Sequence, residues 1–223
     1  HTGTVCAYPK FCSIPFREED IWSGYPEETN APYGVAKKAI FVMLEGYHKE
    51  YGLNSAVVVP VNLYGPGDNF NPASSHVIPA LIRKCEEARE REENQITCWG
   101  TGSATRQFLY VDDAAEAVVR AAELVNTPAP INIGGGEEIA IRDLVKIIAE
   151  TCGYQGEIKW DKTKPDGQPR RAIAIDKARD LLDWNPKEMF CDGLRKTVEW
   201  YRVENENSLA GSSNPSVELS RAA

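Results

Sequence analysis

Apolar residues fall into two patterns along the chain, short continuous runs and longer stretches in which they recur every three or four positions. The run SAVVVPVNLYG at 55–65 is typical of a strand buried on both faces, as in parallel sheets. The periodic stretches predict amphipathic helices. Further strands are expected at ITCWG, RQFLYV, INIGGG, IKWD and RRAIAI, and further helices at HVIPALIRKCEEARE, VDDAAEAVVRAAELV, IRDLVKIIAETCG, DKARDLL and CDGLRKTVEWYRVE.

One helix is expected to begin near Pro32 and to continue to about Tyr51. Proline suits the first turn because its missing N–H would have no partner there, and Gly52 is expected to end the helix. Its apolar stripe is expected to comprise Ile40, Phe41, Leu44 and Tyr47. The segment before it is expected to be the end of a buried strand that runs into a surface loop, marked by prolines and the acidic REED.

The alternation of predicted strands and helices favours an α/β fold built around a parallel sheet. From about Asn205 the polar sequence has the composition of a disordered tail. The sequence contains no internal repeat.

Composition and charge narrow the classes of function. The 223 residues suffice for one sizeable domain or two small ones, and 42% hydrophobic with 26% charged residues is typical of a globular protein. The formal net charge of −8 argues against a nucleic-acid-binding or membrane-binding surface, but is compatible with a local basic pocket for a phosphorylated small molecule. We expect neither a signal peptide nor a membrane-spanning segment.

The cysteines and histidines do not have the spacing of metal ligands. With only three histidines in the chain, we expect no metal site. We expect the cysteines to be reduced thiols in a cytoplasmic protein, and at most one of them to take part in chemistry. The cysteines are Cys6, Cys12, Cys85, Cys98, Cys152 and Cys191.

The stretch NAPYGVAKK contains the first candidate for chemistry. Tyr33 and Lys37 are four residues apart, so on a helix they lie on one face. A tyrosine, with a reference pKa of about 10, is a poor acid–base catalyst at neutral pH, and a nearby ammonium group lowers that pKa. The bare pattern is more often a packed tyrosine beside a surface lysine, so its context must decide.

Seven segments carry a resemblance to a known family. They are TGTVCAYPK, NAPYGVAKK, VNLYGPGDNF, SSHVIPALIRK, WGTGSATRQFLYVDD, NIGGGEEIAIRDL and KPDGQPRR. In this order they resemble the extended short-chain dehydrogenase/reductase family of NAD-dependent epimerases and dehydratases, over residues 3–202. NLYGPGDNF followed by SSHVIPALIRK is similar to a branch that converts GDP-4-keto-6-deoxymannose to GDP-L-fucose with NADPH.

The resemblance implies the C-terminal part of a Rossmann-like parallel sheet with a smaller α+β substrate-binding portion. Residues 1–70 and 108–135 would belong to the Rossmann-like part. Residues 71–107 and 136–204 would form the substrate-binding portion, leaving 205–223 as the polar tail.

The resemblance also assigns catalytic roles. Thr4, Tyr33 and Lys37 would form the reductase triad, in which Tyr33 gives a proton to the C4 oxygen. Cys6 and His76 would be the base and the acid of epimerisation at C3 and C5, where the neighbouring ketone acidifies the protons. The branch has two serines where this chain has Thr4 and the residue after it, a valine, so only one hydroxyl is retained.

Further positions match binding residues of the family. Lys37, Pro60, Asn62, Leu63 and His76 would lie around the nicotinamide of NADP(H). The contacts to the GDP-sugar substrate would fall on Lys84, Trp99, Arg106 and Asp166. Arg106 suits phosphate oxygens because its guanidinium can form a two-pronged hydrogen bond.

The GxGxxG dinucleotide fingerprint is absent from the sequence. GGG at 134–136 is expected to form a turn instead. We expect the chain to lack the first half of the Rossmann-like part. The chain would then be a fragment, or another chain would supply the missing half, or the sequence would adopt a rearranged fold. A homodimer is also compatible with the resemblance. Alternative functions are another nucleotide-sugar 4-epimerase or dehydratase, or a non-catalytic sugar-nucleotide-binding module.

Overall fold

The computed structural model describes residues 1–212 of the protein, with side-chain environments to residue 207. The described part contains six α-helices and nine short strands, together with 3₁₀ helices at Val5–Ala7 and Glu18–Trp22. The α-helices are α1 (Ala31–Tyr51), α2 (Val77–Glu90), α3 (Val111–Leu124), α4 (Ile141–Cys152), α5 (Asp176–Leu182) and α6 (Phe190–Ser212). The strands are β1 (Val57–Pro60), β2 (Asn62–Tyr64), β3 (Gln95–Trp99), β4 (Thr105–Arg106), β5 (Phe108–Tyr110), β6 (Pro130–Ile133), β7 (Ile139–Ala140), β8 (Glu157–Asp161) and β9 (Arg170–Arg171).

Strand pairing in the described residues is mostly parallel. β1 pairs with β6, β2 with β5 and β3 with β8, all in parallel. β4 pairs in parallel with β9 and antiparallel with β7. Parallel neighbours need long crossover connections, which here contain helices, such as α2 between β2 and β5. The predicted α/β class is confirmed.

The apolar run at 55–65 forms two strands where the sequence predicts one. β1 ends at Pro60, which has no N–H to extend a ladder. Val61 still donates its N–H to the carbonyl oxygen of Ile133 at 3.1 Å, but from Asn62 the chain lies beside β5. The strand therefore changes its sheet partner at Val61.

Buried apolar side chains form two clusters. The first surrounds β1 and β6 and includes Phe41 of α1 and Leu182 of α5. The second lies among α2, α4 and α6 and includes Ile82 and Leu194. The step from β1 to β2 takes the chain from the first cluster to the second.

Helix α1 begins and ends as predicted, with Pro32 in its first turn and Gly52 in a left-handed conformation at its end. Its buried residues are Ala31, Gly34, Lys38 and Phe41, with Ile40 and Leu44 half-buried. The expectation that Tyr47 belongs to the buried stripe is wrong, since this side chain is 50% exposed. The reason is that the second half of the helix extends past the core.

A buried asparagine fastens the loop after the first 3₁₀ helix to β6. Asn132 is fully buried, accepts a hydrogen bond from the Tyr8 hydroxyl at 2.7 Å and donates its side-chain N–H to the Phe16 carbonyl at 3.2 Å. Its backbone N–H donates to Glu18 Oε1 at 2.8 Å. Because buried polar groups need partners, these bonds hold the loop against the sheet.

Helix α6 continues beyond the point at which the sequence predicts a tail. Residues 205–212 are helical, unlike the disordered segment expected from Asn205 onwards. The remainder of the predicted tail, 213–223, lies outside the described residues. Although α6 is long, no helix within the described part is both long and apolar enough to cross a membrane.

Candidate active site

Tyr33 and Lys37 lie one turn apart on the same side of α1. The Lys37 Nζ atom lies 5.8 Å from the centroid of the Tyr33 ring and donates a hydrogen bond of 2.9 Å to the carbonyl oxygen of Thr2. Tyr33 is 53% exposed, so its ring is accessible from solvent. The bond to Thr2 ties the helix to the segment that leads to Thr4.

The 3₁₀ turn at Val5–Ala7 places Thr4 and Cys6 against α1. Thr4 Oγ1 accepts a hydrogen bond of 3.2 Å from the Cys6 N–H, which leaves the hydroxyl proton of Thr4 unused by this bond. A Cβ atom at Gly34 would come within 2.4 Å of the Cys6 carbonyl oxygen. Glycine at this position therefore allows direct backbone contact between α1 and the turn.

Eight of the residues predicted from the sequence line one cleft of about 480 Å³, near the step from β1 to β2. They come from four separate segments of the chain. They are Thr4, Cys6, Tyr33, Lys37, Pro60, Asn62, Leu63 and His76. The fold thus brings together the predicted proton-transfer residues and the residues predicted to surround a nicotinamide ring.

The strand residues of this cleft contribute mainly apolar surface. Pro60 is buried and Leu63 is 37% exposed. Asn62 donates its side-chain N–H to the Gln107 carbonyl oxygen at 3.1 Å, which fixes its orientation. The cleft that Lys37 lines therefore also has apolar surface.

His76 borders a second cleft as well as the first. It is exposed and immediately precedes α2. The second cleft has a volume of about 710 Å³ and is lined by Lys84 and Trp99 among others. The two clefts therefore meet at His76.

Lys84 and Trp99 give the second cleft a cation and a flat aromatic face. Lys84 Nζ donates to the Thr97 carbonyl oxygen at 2.6 Å, which uses one of its three donors. Trp99 is 70% exposed, with Lys164 Nζ 5.4 Å from its ring centroid. A positive charge and an accessible ring suit a nucleoside phosphate.

Arg106 and Asp166 are absent from the described linings of both clefts. Burial and then the charge of Arg171 lower the pKa of Arg106 to about 10, while Cys6 opposes the shift. Asp166 accepts hydrogen bonds from the Thr101 N–H at 2.6 Å and from its hydroxyl at 2.8 Å, and these bonds lower the pKa of Asp166. Binding roles for Arg106 and Asp166 stay predictions.

Arg171, which was not predicted from the sequence, contacts Cys6, and a second such residue, Gln168, contacts Arg171. Arg171 is buried and donates a hydrogen bond from Nη1 to Cys6 Sγ at 3.5 Å. Gln168 Oε1 accepts from Arg171 Nε and Nη2 at 3.2 and 3.0 Å. Both stand in the segment KPDGQPRR, but adjacent arginines in a sequence do not reveal which one points inward.

The first cleft holds the side-chain types needed to move protons to and from a carbonyl compound. A thiol and an imidazole can take up and return protons near neutral pH. A phenol beside an ammonium group can give a proton to an oxygen atom. Within the described residues, no three His, Cys, Asp or Glu side chains lie together so as to hold a metal ion.

A family model, described as the NAD dependent epimerase/dehydratase family, matches residues 1–134. A probable GDP-L-fucose synthase 1 from Oryza sativa subsp. japonica is 42% identical over 203 residues, covering 91% of this chain and 61% of that protein. The GDP-L-fucose synthase of Escherichia coli (strain K12) is 38% identical over 218 residues, covering 94% and 67%. This chain therefore spans about three-fifths to two-thirds of the length of these two relatives.

The fold is similar to that of solved nucleotide-sugar enzymes. The crystal structure of a GDP-L-fucose synthetase from Naegleria fowleri bound to NADP has a TM-score of 0.84 to this chain at 27% identity. The match covers 92% of this chain and 66% of that one.

Proposed function

Because the chain belongs to the NAD-dependent epimerase/dehydratase family, we propose that it carries the reaction site of a nucleotide-sugar epimerase and reductase. The proposed reaction converts GDP-4-keto-6-deoxymannose to GDP-L-fucose with NADPH, and relatives named GDP-L-fucose synthase support this choice. The observation that carries the proposal is one cleft lined by Thr4, Cys6, Tyr33, Lys37 and His76.

In the epimerisation we assign proton transfer at C3 and C5 to Cys6 and His76. Protons on these carbons are acidic because the charge of the enolate is delocalised into the C4 carbonyl. Cys6 removes a proton from one face and His76 returns one to the other. The two residues line the same cleft from separate segments of the chain.

In the reduction we assign the proton donor at the C4 oxygen to Tyr33. The positive charge of Lys37, whose Nζ lies 5.8 Å from the centroid of the Tyr33 ring, would offset the negative charge left on Tyr33 after the transfer. Thr4 directs a hydroxyl donor to the same oxygen, since the bond from the Cys6 N–H leaves the hydroxyl proton available. NADPH, when bound, supplies the hydride for C4.

The residues around Lys37 fit the nicotinamide end of that cofactor. Lys37 uses one N–H donor for Thr2 and keeps others for ribose hydroxyls. Pro60 and Leu63 offer apolar surface, with Asn62 and His76 at its border. The sequence contains no GxGxxG fingerprint for the pyrophosphate, and these residues are assigned to the nicotinamide end only.

We assign the GDP moiety of the substrate to the second cleft, which meets the first at His76. Lys84 supplies a point charge for the diphosphate, and Trp99 offers its face to the base. Arg106 would reach phosphate oxygens from the Cys6 side. Asp166 would accept hydrogen bonds from sugar or base with the lone pairs that Thr101 leaves free.

The proposal extends to the division of the chain and to its location. Residues 1–70 with 108–135 would serve the cofactor side, and 71–107 with 136–204 the sugar side. The reaction would take place in the cytoplasm, where the six free cysteines stay reduced.

We propose that α1 also forms a homodimer contact. Met43, Tyr47 and Tyr51 are each at least half exposed and are spaced four residues apart, so they form an apolar stripe along the helix. A second copy of the chain is the occupant that the family resemblance implies.

The substitution Tyr33→Phe tests the reductase assignment because it removes only the phenolic hydroxyl. We expect NADPH oxidation in the presence of the keto sugar to fall by about 100-fold or more. GDP affinity measured by calorimetry should stay within about twofold, since Tyr33 lies outside the second cleft. Tyr25→Phe, an exposed tyrosine outside both clefts, is the matched control.

NADPH oxidation that survives Tyr33→Phe would remove Tyr33 from the mechanism. GDP binding without any NADPH oxidation by the unmodified chain would instead favour a sugar-nucleotide-binding module.

A further inference from the structure

The guanidinium of Arg171 is buried without a carboxylate partner among the described residues. Arg171 is 9% exposed, and its hydrogen bonds go to Cys6 Sγ and to Gln168 Oε1. Gln168 is neutral and is itself tied by its Nε2 to the Lys10 carbonyl oxygen at 3.3 Å. A buried charge is costly unless it meets an opposite charge. Of these two partners, only Cys6 can become an anion.

The neighbouring arginine shows what a carboxylate partner looks like in the same strand. Successive residues of a strand point to opposite faces. Arg170 is exposed and forms a two-pronged ion pair with Glu138, including Nε contacts of 2.9 Å to both carboxylate oxygens. Arg171 points the other way, and strand pairing places it beside Arg106.

Arg106 adds a second positive charge on the same side. Burial and then Arg171 lower the pKa of Arg106, whereas Cys6 acts in the opposite direction. The surroundings of Cys6 thus hold two guanidinium groups that both gain from a negative charge on sulfur. Such an electropositive environment favours thiolate over thiol.

We propose that Arg171 is a positioning residue that holds Cys6 as a thiolate, with Gln168 fixing the orientation of the guanidinium. The catalytic use of this thiolate rests on the proposed function, but its charge does not. In the epimerisation the thiolate sulfur takes the proton from carbon and becomes a neutral thiol. The electron pair of the broken C–H bond passes into the enolate, whose oxygen is the former C4 carbonyl oxygen.

Alkylation by iodoacetamide measures thiolate directly and needs neither substrate nor cofactor. The rate at each cysteine of the full chain is followed at pH 7 by peptide mass spectrometry, in the unmodified protein and in Arg171→Met, Arg171→Lys and Arg170→Met. The exposed Cys191 is the internal standard. Arg170→Met is the matched control, because it removes an arginine one residue away that does not contact Cys6.

We expect Cys6 to react faster than Cys191 in the unmodified protein, although Cys6 is less exposed. Arg171→Met should slow Cys6 by about tenfold or more, and Arg171→Lys, which keeps the charge, should remain within about threefold of the unmodified rate. Arg170→Met should leave the rate unchanged. If Arg171 only filled space beside Cys6, Arg171→Lys would slow the alkylation of Cys6 as Arg171→Met does, because the retained charge would not replace the lost packing.

An unchanged Cys6 rate in Arg171→Met would overturn the proposal. If Arg171→Met does not fold, the test rests on the alkylation rates in the unmodified protein and in Arg171→Lys. A Cys6 that reacts more slowly than Cys191 in the unmodified protein would then overturn the proposal. The expected alkylation pattern in a chain that does not process the keto sugar would support the thiolate and refute only the proposed function.

Discussion

At the scale of single residues, Gly34 sets the distance between α1 and the turn that carries Cys6. A Cβ atom there would lie 2.4 Å from the Cys6 carbonyl oxygen and 3.0 Å from its carbon. Tyr33 precedes Gly34 directly, so the position of the phenol relative to the thiol depends on a residue without a side chain. Gly46 belongs to the same helix, but a Cβ atom there would meet no atom within 4 Å.

The two glycines predict opposite effects of one substitution. Gly46→Ala should raise the free energy of unfolding by about 0.5–1 kcal/mol, the usual helix-propensity gain. Gly34→Ala should lower it by about 2 kcal/mol, because overlap with backbone atoms forces the helix away from the turn. Urea unfolding followed by circular dichroism measures both. An equal stabilisation by the two variants would mean that α1 does not rest on the Cys6 turn.

The residue scale also shows what the sequence could and could not predict. The common face of Tyr33 and Lys37 follows from their spacing, because helix geometry is local. The bond from Lys37 to Thr2 and the contact of Arg171 with Cys6 depend on how distant segments pack. No spacing in the sequence contains that information, so Arg171 was missed.

At the scale of elements, a buried carboxylate attaches α6 to α2. The Glu86 side chain is almost fully buried and accepts hydrogen bonds from Arg202 of α6 at 2.7 Å and from Arg89 at 2.8 Å. Burial alone would raise the pKa of Glu86, but the bonds from Arg202 and Arg89 bring it below its usual value. The ionised form of Glu86 therefore stabilises the contact between the two helices.

Removing the Arg202 partner should destabilise the fold in a pH-dependent way. Arg202→Met should cost about 2 kcal/mol at pH 7, less than a fully buried pair, because Arg202 is partly exposed and Arg89 remains. Because the pKa of Glu86 is lowered in the folded protein, its ionised form stabilises the fold above the unfolded pKa of about 4.3. This stabilisation is lost as the pH falls through the folded pKa. The difference in the free energy of unfolding between Arg202→Met and the unmodified protein should therefore shrink in acid.

Thermal and urea unfolding from pH 7 to pH 3 measure this difference. Arg195→Met removes an exposed arginine from the same helix, where it pairs with Asp192, and should change stability by less than about 0.5 kcal/mol. Equal effects of the two variants would contradict the anchoring role of Glu86.

Elements were predictable where their signal is local. The helices follow from the spacing of their apolar residues. The change of partner at Val61 and the two-residue strand Ile139–Ala140 were missed, because both depend on pairing with distant strands. The polar composition after Asn205 predicted a tail, whereas α6 extends through it to Ser212.

At the scale of the whole molecule, the candidate site lies where the chain passes from one core cluster to the other. The first cleft collects residues that precede and follow this step, and the second cleft lies beside α2 and β3. The chain spans 61% of the length of its rice relative.

The exposed side chains of Met43, Tyr47 and Tyr51 on α1 predict a homodimer. The unmodified protein should have the mass of a dimer in light scattering coupled to gel filtration. Met43→Lys combined with Tyr47→Lys should weaken the dimer by about 100-fold, because buried charges replace apolar contacts at the interface. Val119→Lys, on an exposed position of α3, is the control and should leave the dimer intact. A monomeric mass for the unmodified protein would refute this contact.

The most direct test of the account is proton exchange at C3 and C5 of GDP-4-keto-6-deoxymannose in D₂O, without NADPH. Incorporation of deuterium is followed by NMR, and it requires Cys6 and His76 but no hydride donor. We predict incorporation by the unmodified chain and by Tyr33→Phe, and a loss of about 100-fold or more in Cys6→Ser. Incorporation by Cys6→Ser at the unmodified rate, or none by the unmodified chain, would contradict the assignment of this cleft as an epimerase site.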